Sequence, residues 1–168
     1  MPKIIENLES KLIGEARRQI EARGYGAVTI RSVAAGCGVG VGTVYNYFSS
    51  KDHLLATYML SDWNACMDAI GQVSAEAQEA AVVVRFMYDQ LLAYAGRHSA
   101  VFQDEAAAAS FAGSSGYYHT MLRSQLAEPL EKFCPDAFTA EFIAEALLTW
   151  TMAGKSFEEI YGILGKIF

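Results

Sequence analysis

Leu8, Leu12, Ala16 and Ile20 recur at every fourth position, joined by Ile5 and Ile13, while Lys11, Arg17 and Arg18 fall largely outside that face. This period predicts an amphipathic helix from about Ile4 to Ala22. Arg23-Gly24-Tyr25-Gly26 ends it, because glycine accepts the left-handed conformation that closes a helix. Thr29 is suited to cap a second helix over Ile30 to Gly36, with Ile30, Val33 and Ala34 turned toward the first. Gly38 then turns the chain, Val39 plugs the core, and a third short helix begins near Gly40 and ends in Tyr45-Asn46-Tyr47-Phe48. A fourth helix, from about Ser50 to Gly71, carries a stripe of Leu54, Leu55, Tyr58, Met59, Trp63, Cys66, Met67 and Ile70. The fifth, about Ala75 to Arg97, is apolar nearly all round, as a central buried helix should be. Shorter helices are predicted over Ala100 to Ala112 and Gly116 to Phe133, and two apolar ones close the chain, near Thr139 to Ala153 and Ser156 to Phe168. The expected fold is all-α, with a three-helix domain over residues 1–53 and a helical body over residues 54–168.

Short helix, glycine turn, second short helix and capped third helix, over Thr29 to Leu55, spell a helix-turn-helix in which the second helix lies in the major groove of DNA. The run Gly36-Cys37-Gly38-Val39-Gly40-Val41-Gly42-Thr43 also invites comparison with phosphate loops. A dinucleotide fingerprint starting at Gly38 needs glycine where Thr43 stands. A Walker loop needs a lysine, and none lies between Arg31 and Lys51. Gly42, inside a helix, costs about 1 kcal/mol relative to alanine, so it calls for a reason. Close approach of the backbone to DNA supplies one.

Thr-Ile-Arg-x-x-Ala from Thr29, Cys37-Gly38-Val39, and Val41-Gly-Thr-Val-Tyr-Asn-Tyr-Phe-x-x-Lys-Asp-x-Leu-Leu resemble the DNA-binding domain of TetR-family transcriptional regulators. The resemblance covers the first third of the chain and implies, beyond it, an architecture and not a ligand. Thr43 and Tyr45 face outward on the third helix, toward base edges or phosphate. Asn46 suits a bidentate pair with adenine, or a solvated helix end. Tyr47 resembles a phosphate ligand through its hydroxyl, and Phe48 belongs to the core. Arg31 matches the family position that reaches a guanine or a phosphate; a surface ion pair is its other reading. Thr29 adds a phosphate contact to its capping role. Lys51 matches the family lysine at the start of the fourth helix, where Ser49 and Asp52 are spaced like a capping box. Many members carry a polar or basic side chain where this chain has Gly40-Val41. Val41 can touch a thymine methyl but cannot hydrogen-bond a base, so specificity should lean on Arg31, Tyr45 and Asn46.

Charge sharpens this picture. Residues 1–53 carry Lys3, Lys11, Arg17, Arg18, Arg23, Arg31 and Lys51 against Glu6, Glu9, Glu15, Glu21 and Asp52, a net +2 in a chain of net −6. The remainder is therefore −8, and only the N-terminal third is welcome near phosphates. Cys37, Cys66 and Cys134 are far apart with no Cys-x-x-Cys pair, which argues against a disulfide framework or zinc site and for inert thiols. No apolar run approaches the roughly 20 residues that span a bilayer, and the charged N-terminus is unlike a signal peptide, so a cytoplasmic protein is expected. No Ser/His/Asp set, metal spacing or cofactor loop is visible; no enzyme, metal or cofactor is expected.

The body is rich in Trp63, Met67, Phe86, Tyr94, Phe102, Tyr117, Met121 and Trp150. Such residues at helical spacing usually form core; as a set they are also suited to line a cavity for a hydrophobic or aromatic small molecule. Phe142, Ala146, Trp150, Phe157, Ile160, Tyr161 and Leu164 on the last two helices suit a four-helix interface with a second copy, which the resemblance also implies. The expectation is a homodimeric, effector-responsive regulator, a repressor on a pseudo-palindromic operator. A helical adaptor that binds a protein partner without an operator is the alternative.

Overall fold

The computed structural model describes residues 7–111 and 115–168; the expected start of the first helix at Ile4 lies outside them. Among the described residues there are ten α-helices and no strand: α1 (Leu8–Arg23), α2 (Ile30–Gly36), α3 (Val41–Tyr45), α4 (Lys51–Glu76), α5 (Ala80–Arg97), α6 (Ser99–Phe102), α7 (Glu105–Phe111), α8 (Ser115–Ala127), α9 (Ala137–Met152) and α10 (Phe157–Leu164). The chain forms two compact units, one of Met1–Ser61 with His98–Ala112, the other of Asp62–Arg97 with Gly113–Phe168. The return of the segment from His98 to the first unit is not signalled by the sequence pattern.

The first unit is built on the period-four stripe of α1. Leu8, Leu12, Ala16 and Ile20 are buried against Val33 and Ala34 of α2, Val44 of α3, Phe48, and Leu54, Leu55 and Tyr58 of α4, with Val101 and Ala107 added from the later segment. Gly24 (φ 78°) closes α1 by donating its N–H to the Ile20 carbonyl at 2.8 Å. A 3-10 turn over Tyr25–Ala27, absent from the sequence reading, then buries the Tyr25 ring.

Several boundaries move for identifiable reasons. Helix α4 runs five residues past Gly71, and its C-terminal carbonyls are capped by Lys132, whose ammonium donates to Ser74 and, at 3.0 Å, to Ala77. The Ser74 hydroxyl donates to the Pro129 carbonyl at 2.7 Å, tying the same end down again. The helix expected over residues 100–112 is split at Gln103-Asp104, because the Asp104 carboxylate accepts from Ala106 N at 2.9 Å and Ala107 N at 3.1 Å and starts a new helix. The helix expected to reach Phe133 gives way at Ala127 to a 3-10 turn over Glu128–Phe133, where Pro129 lacks the N–H that an α-helix needs. Helix α5 is not buried all round: Val82 and Leu92 stand about half exposed on one face.

In the second unit α9 packs against α5 and α8 through Ala140, Ile143, Ala144, Leu147 and Leu148. Side-chain caps start both of the last two helices. Asp136 accepts from Thr139 N at 2.7 Å, and Ser156 and Glu159 form a reciprocal capping box at the start of α10. Among the described residues, no helix is long and apolar enough to cross a membrane.

Phe48 is the test of the first core, since it is 1% exposed at the end of the third helix and touches the stripe of α1. Phe48→Ala is expected to cost about 3–5 kcal/mol of stability. Urea unfolding monitored by circular dichroism measures it; a loss below about 1 kcal/mol would place Phe48 outside the core.

Candidate nucleic-acid interface

Helix α3 has only five residues, too few to persist alone, so its shape is imposed from below. Val44 is fully buried and Phe48 nearly so, which fixes the opposite side of the segment outward. That outward side carries Val41 (36% exposed), Tyr45 (53%) and Tyr47 (42%), together with exposed Gly42 and Asn46 and half-buried Thr43. Six of the candidates in this segment are thus solvent-accessible, five of them exposed and Thr43 half-buried, while Phe48 and Val44 anchor it.

Glycines make the approach. Gly38 sits at φ 67°, the left-handed turn between α2 and α3, where a side chain would strain the backbone. Gly42 differs: its φ is ordinary, and a Cβ there would meet nothing within 4 Å. The chain itself has no steric need for glycine at this position.

Thr29 caps α2 as expected, but its partner is a serine. Thr29 Oγ1 accepts from Ser32 N at 3.0 Å, and Ser32 Oγ accepts from Thr29 N at 3.1 Å. The Thr29 hydroxyl proton is left to donate outward. Arg31 is exposed at the second residue of α2, and among the described residues its side chain makes no hydrogen bond or ion pair. Two basic side chains of α1 are more engaged. Arg17 pairs with Glu21 at 2.8 Å and Arg18 with Glu15 at 2.6 Å.

Lys51 is placed where the sequence put it, at the first residue of α4, but with a second task. Its ammonium donates to the Tyr25 carbonyl at 3.1 Å and lies 3.7 Å from the centroid of the Tyr25 ring. An ammonium has three protons, so donors remain for a phosphate. The expected Ser49–Asp52 box forms one residue later instead: Ser50 Oγ accepts from His53 N at 3.0 Å, and Ser49 N donates to His53 Nδ1 at 3.2 Å. Asp52 is taken by Tyr25, whose hydroxyl donates to Oδ1. Burial, and then this bond to the carboxylate, pushes the Tyr25 hydroxyl up to about 12. Tyr25 is the residue that sequence reasoning missed; a lone tyrosine between two glycines carries no periodic signal.

The body candidates divide. Trp63 and Tyr94 are buried with their rings edge-on at 5.5 Å, and Trp63 Nε1 donates to Gln125 Oε1 at 2.6 Å. Met67 and Met121 lie one turn from Trp63 and Gln125 and are half-buried, as is Phe86. Phe102 belongs to the first unit, and Tyr117 and Trp150 are 72% and 50% exposed, so the structure does not gather these three with the rest. Of the expected interface residues, Phe142 and Trp150 face outward on α9 and Ala146 is half-buried between them. Ile160 and Leu164 are buried in the chain's own core, and Phe157 packs edge-on against Tyr88 of α5 at 5.6 Å and stacks on half-buried Tyr161. The outward apolar positions missed by the sequence reading are Phe138 (75% exposed) on α9 and Ile163 (68%) on α10. Burial raises all three thiols above their ordinary value, which keeps them protonated and unreactive. No three metal-ligating side chains converge among the described residues.

An exposed short helix, presented by a glycine turn on a buried hydrophobic anchor, defines a helix-turn-helix DNA-binding domain. Residues 12–58 match the family of bacterial regulatory proteins called tetR, so this segment is a TetR-type DNA-binding domain. Three solved structures share the fold over nearly the whole chain. The fatty acid degradation regulator FadR of Bacillus halodurans is 20% identical over 98% of this chain and 94% of its own, with TM-score 0.59. The TetR-family repressor AlkX of Dietzia sp. strain DQ12-45-1b, implicated in n-alkane biodegradation, is 16% identical over 94% and 97%, with TM-score 0.67. A TetR-family regulator from Streptomyces coelicolor is 16% identical over 95% and 99%, with TM-score 0.66. No curated protein matches the chain.

Two substitutions probe this geometry. Because Gly42 has open space and ordinary backbone angles, Gly42→Ala is expected to stabilise the fold by up to about 1 kcal/mol yet weaken DNA binding. A melting curve beside a binding isotherm reads both, and unchanged affinity would leave the glycine without a role. Tyr25 titrates near 10.0 when unfolded and at about 12 when folded, so its stabilisation is complete below pH 10 and is lost as pH rises toward 12. Tyr25→Phe should remove that alkaline slope from the urea midpoint while lowering stability at pH 8.

Proposed function

We propose that this chain is an effector-responsive repressor that binds a pseudo-palindromic operator as a homodimer. The observation that carries the reading is the accessible row Val41, Gly42, Thr43, Tyr45, Asn46 and Tyr47 over buried Val44. In this reading Arg31, Tyr45 and Asn46 read base edges, while Thr29, Tyr47 and Lys51 hold phosphates. Val41 rests against a thymine methyl, and Gly42 lets the backbone come close. The outward face of α9, Phe138, Phe142, Ala146 and Trp150 at every fourth position, joins Ile163 of α10 in covering the same face of a second copy. Two readers then sit about one DNA turn apart, roughly 34–36 Å.

The effector side of the proposal rests on Trp63, Met67, Tyr94 and Met121, with Trp63 edge-on to Tyr94 and hydrogen-bonded to Gln125. That composition suits a hydrophobic or aromatic molecule. The FadR and AlkX relatives are named for fatty acid degradation and n-alkane biodegradation, which are chemistries of the same kind. Helix α4 carries both Trp63 and, at its start, the Lys51 and Asp52 contacts to Tyr25. An effector that favours one placement of α4 would change DNA affinity through it, by a coupling of about 1–3 kcal/mol.

The test is a gel shift on the promoter of the chain's own gene. Tight, sequence-selective binding that weakens steeply with salt is expected. Binding that ignores sequence at low salt points to the adaptor instead. A second measurement addresses assembly: Phe142→Glu should reduce the sedimenting mass to one subunit of 18.3 kDa and abolish operator binding with it. A variant that still sediments as a dimer would remove α9 from the interface.

A further inference from the structure

Gln19 lies on α1, among residues chosen for burial, and is 2% exposed although it is polar. Every polar atom of its amide is used. Nε2 donates to Glu15 Oε1 at 2.7 Å and to the Ser32 carbonyl at 3.0 Å, and Oε1 accepts from Ser32 Oγ at 2.6 Å. Ser32 is the residue that closes the capping box with Thr29, so the amide grips the first turn of α2 by both a side chain and a carbonyl. The Glu15 carboxylate determines which way round the amide sits, since a reversed amide would present its oxygen to a negative charge. Arg18, and then Gln19 itself, hold that carboxyl down at about 2, so the charge persists at any physiological pH.

Gly36 completes the arrangement. A Cβ there would overlap the Glu15 carboxylate and its Cγ, so the carboxylate can occupy this position only because residue 36 has no side chain. The Glu15 head is the flexible end of its side chain, so an added methyl would displace the carboxylate and leave the helices in place.

We infer that Glu15 and Gln19, with Gly36 as the notch that admits them, are positioning residues for DNA recognition: they fix the first turn of α2 and thereby the point from which Arg31 and Thr29 reach the duplex. The inference rests on the DNA-binding reading above. A hydrophobic residue at position 19 would satisfy burial equally well. What the amide adds is direction, because two hydrogen bonds to one residue fix rotation of α2 about its axis as well as its distance from α1.

The experiment begins with duplexes selected from a random pool by the wild-type protein. Affinities for a selected and a scrambled duplex are then measured for Gln19→Leu, Glu15→Ala and Gly36→Ala, each alone and combined with Arg31→Ala, beside melting curves for each variant. Gln19→Leu is expected to lose about tenfold on the selected duplex, with less than about twofold change on the scrambled one. In the Arg31→Ala background the same change should cost less than about twofold, because its effect passes through Arg31. Glu15→Ala and Gly36→Ala should lose selectivity in the same direction. A folded Gln19→Leu protein with wild-type affinity overturns the relay, and so does an equal loss with and without Arg31. Should Gln19→Leu fail to fold, Gly36→Ala decides alone, and unchanged selectivity there overturns it. A wild-type protein that selects no duplex is a distinct result: it removes DNA recognition itself, and the relay's purpose with it.

Discussion

The whole first unit depends on one buried tyrosine. Tyr25 carries a ring that is 1% exposed, a hydroxyl committed to Asp52, and a carbonyl that accepts from both Val28 N and the Lys51 ammonium. These contacts tie the turn after α1 to the first two residues of α4. Between those ends lie α2 and α3, of seven and five residues, neither long enough to be stable by its own hydrogen bonds. Their geometry is therefore a boundary-value problem. It is set by where α1 ends, where α4 begins, and how Val33, Val44 and Phe48 fill the space between.

A second polar tie acts on the same turn. Asp104 N-caps α7 through one oxygen and accepts from Gly26 N at 3.1 Å through the other. Hydrogen bonds from Ala107 N and Gly26 N hold this carboxyl below its ordinary range, so it remains a charged acceptor throughout neutral conditions. The turn that contains Tyr25 is thus anchored on one side by α4 and on the other by a segment about 80 residues distant in sequence. Such anchoring restrains the turn from two sides, and restraint matters because base recognition tolerates little misplacement.

The parts visible in the sequence were those with a period or a local rule. The α1 stripe, the Thr29 cap, the Gly38 turn and the outward Tyr45 each follow from spacing of 3.6 or from φ sign, and each stands where expected. What was hidden depended on tertiary pairing. Gln19 reads as a polar residue on a helix and is buried, Tyr25 reads as a loop aromatic and is a keystone, and Asp104 reads as surface charge inside a helix yet ends one helix and begins another. Ile160 and Leu164 show the same limit from the other direction: an apolar stripe does not say whether it faces its own core or a second copy, and here those two face inward while Ile163 faces out. The pocket set failed as a set because composition assigns residues to a region and not to a common wall.

The charge pattern closes the argument about how such a reader gains selectivity. Of its basic side chains, Arg17 and Arg18 are matched by Glu21 and Glu15, and Lys51 is partly occupied by Tyr25. The reader's net charge is only +2 in a chain of net −6, so little binding free energy comes from counterion release alone. Sequence-independent attraction is thereby kept small. In the proposed reading, binding then comes from close-range contacts that exist only when the surface fits: tyrosine hydroxyls, the Asn46 amide, the Val41 methyls, and a backbone that Gly42 allows to approach. A regulator built this way gives up affinity for DNA in general and gains contrast between one site and the rest. Such contrast, in turn, makes the fixed placement of Arg31 worth the cost of burying a glutamine.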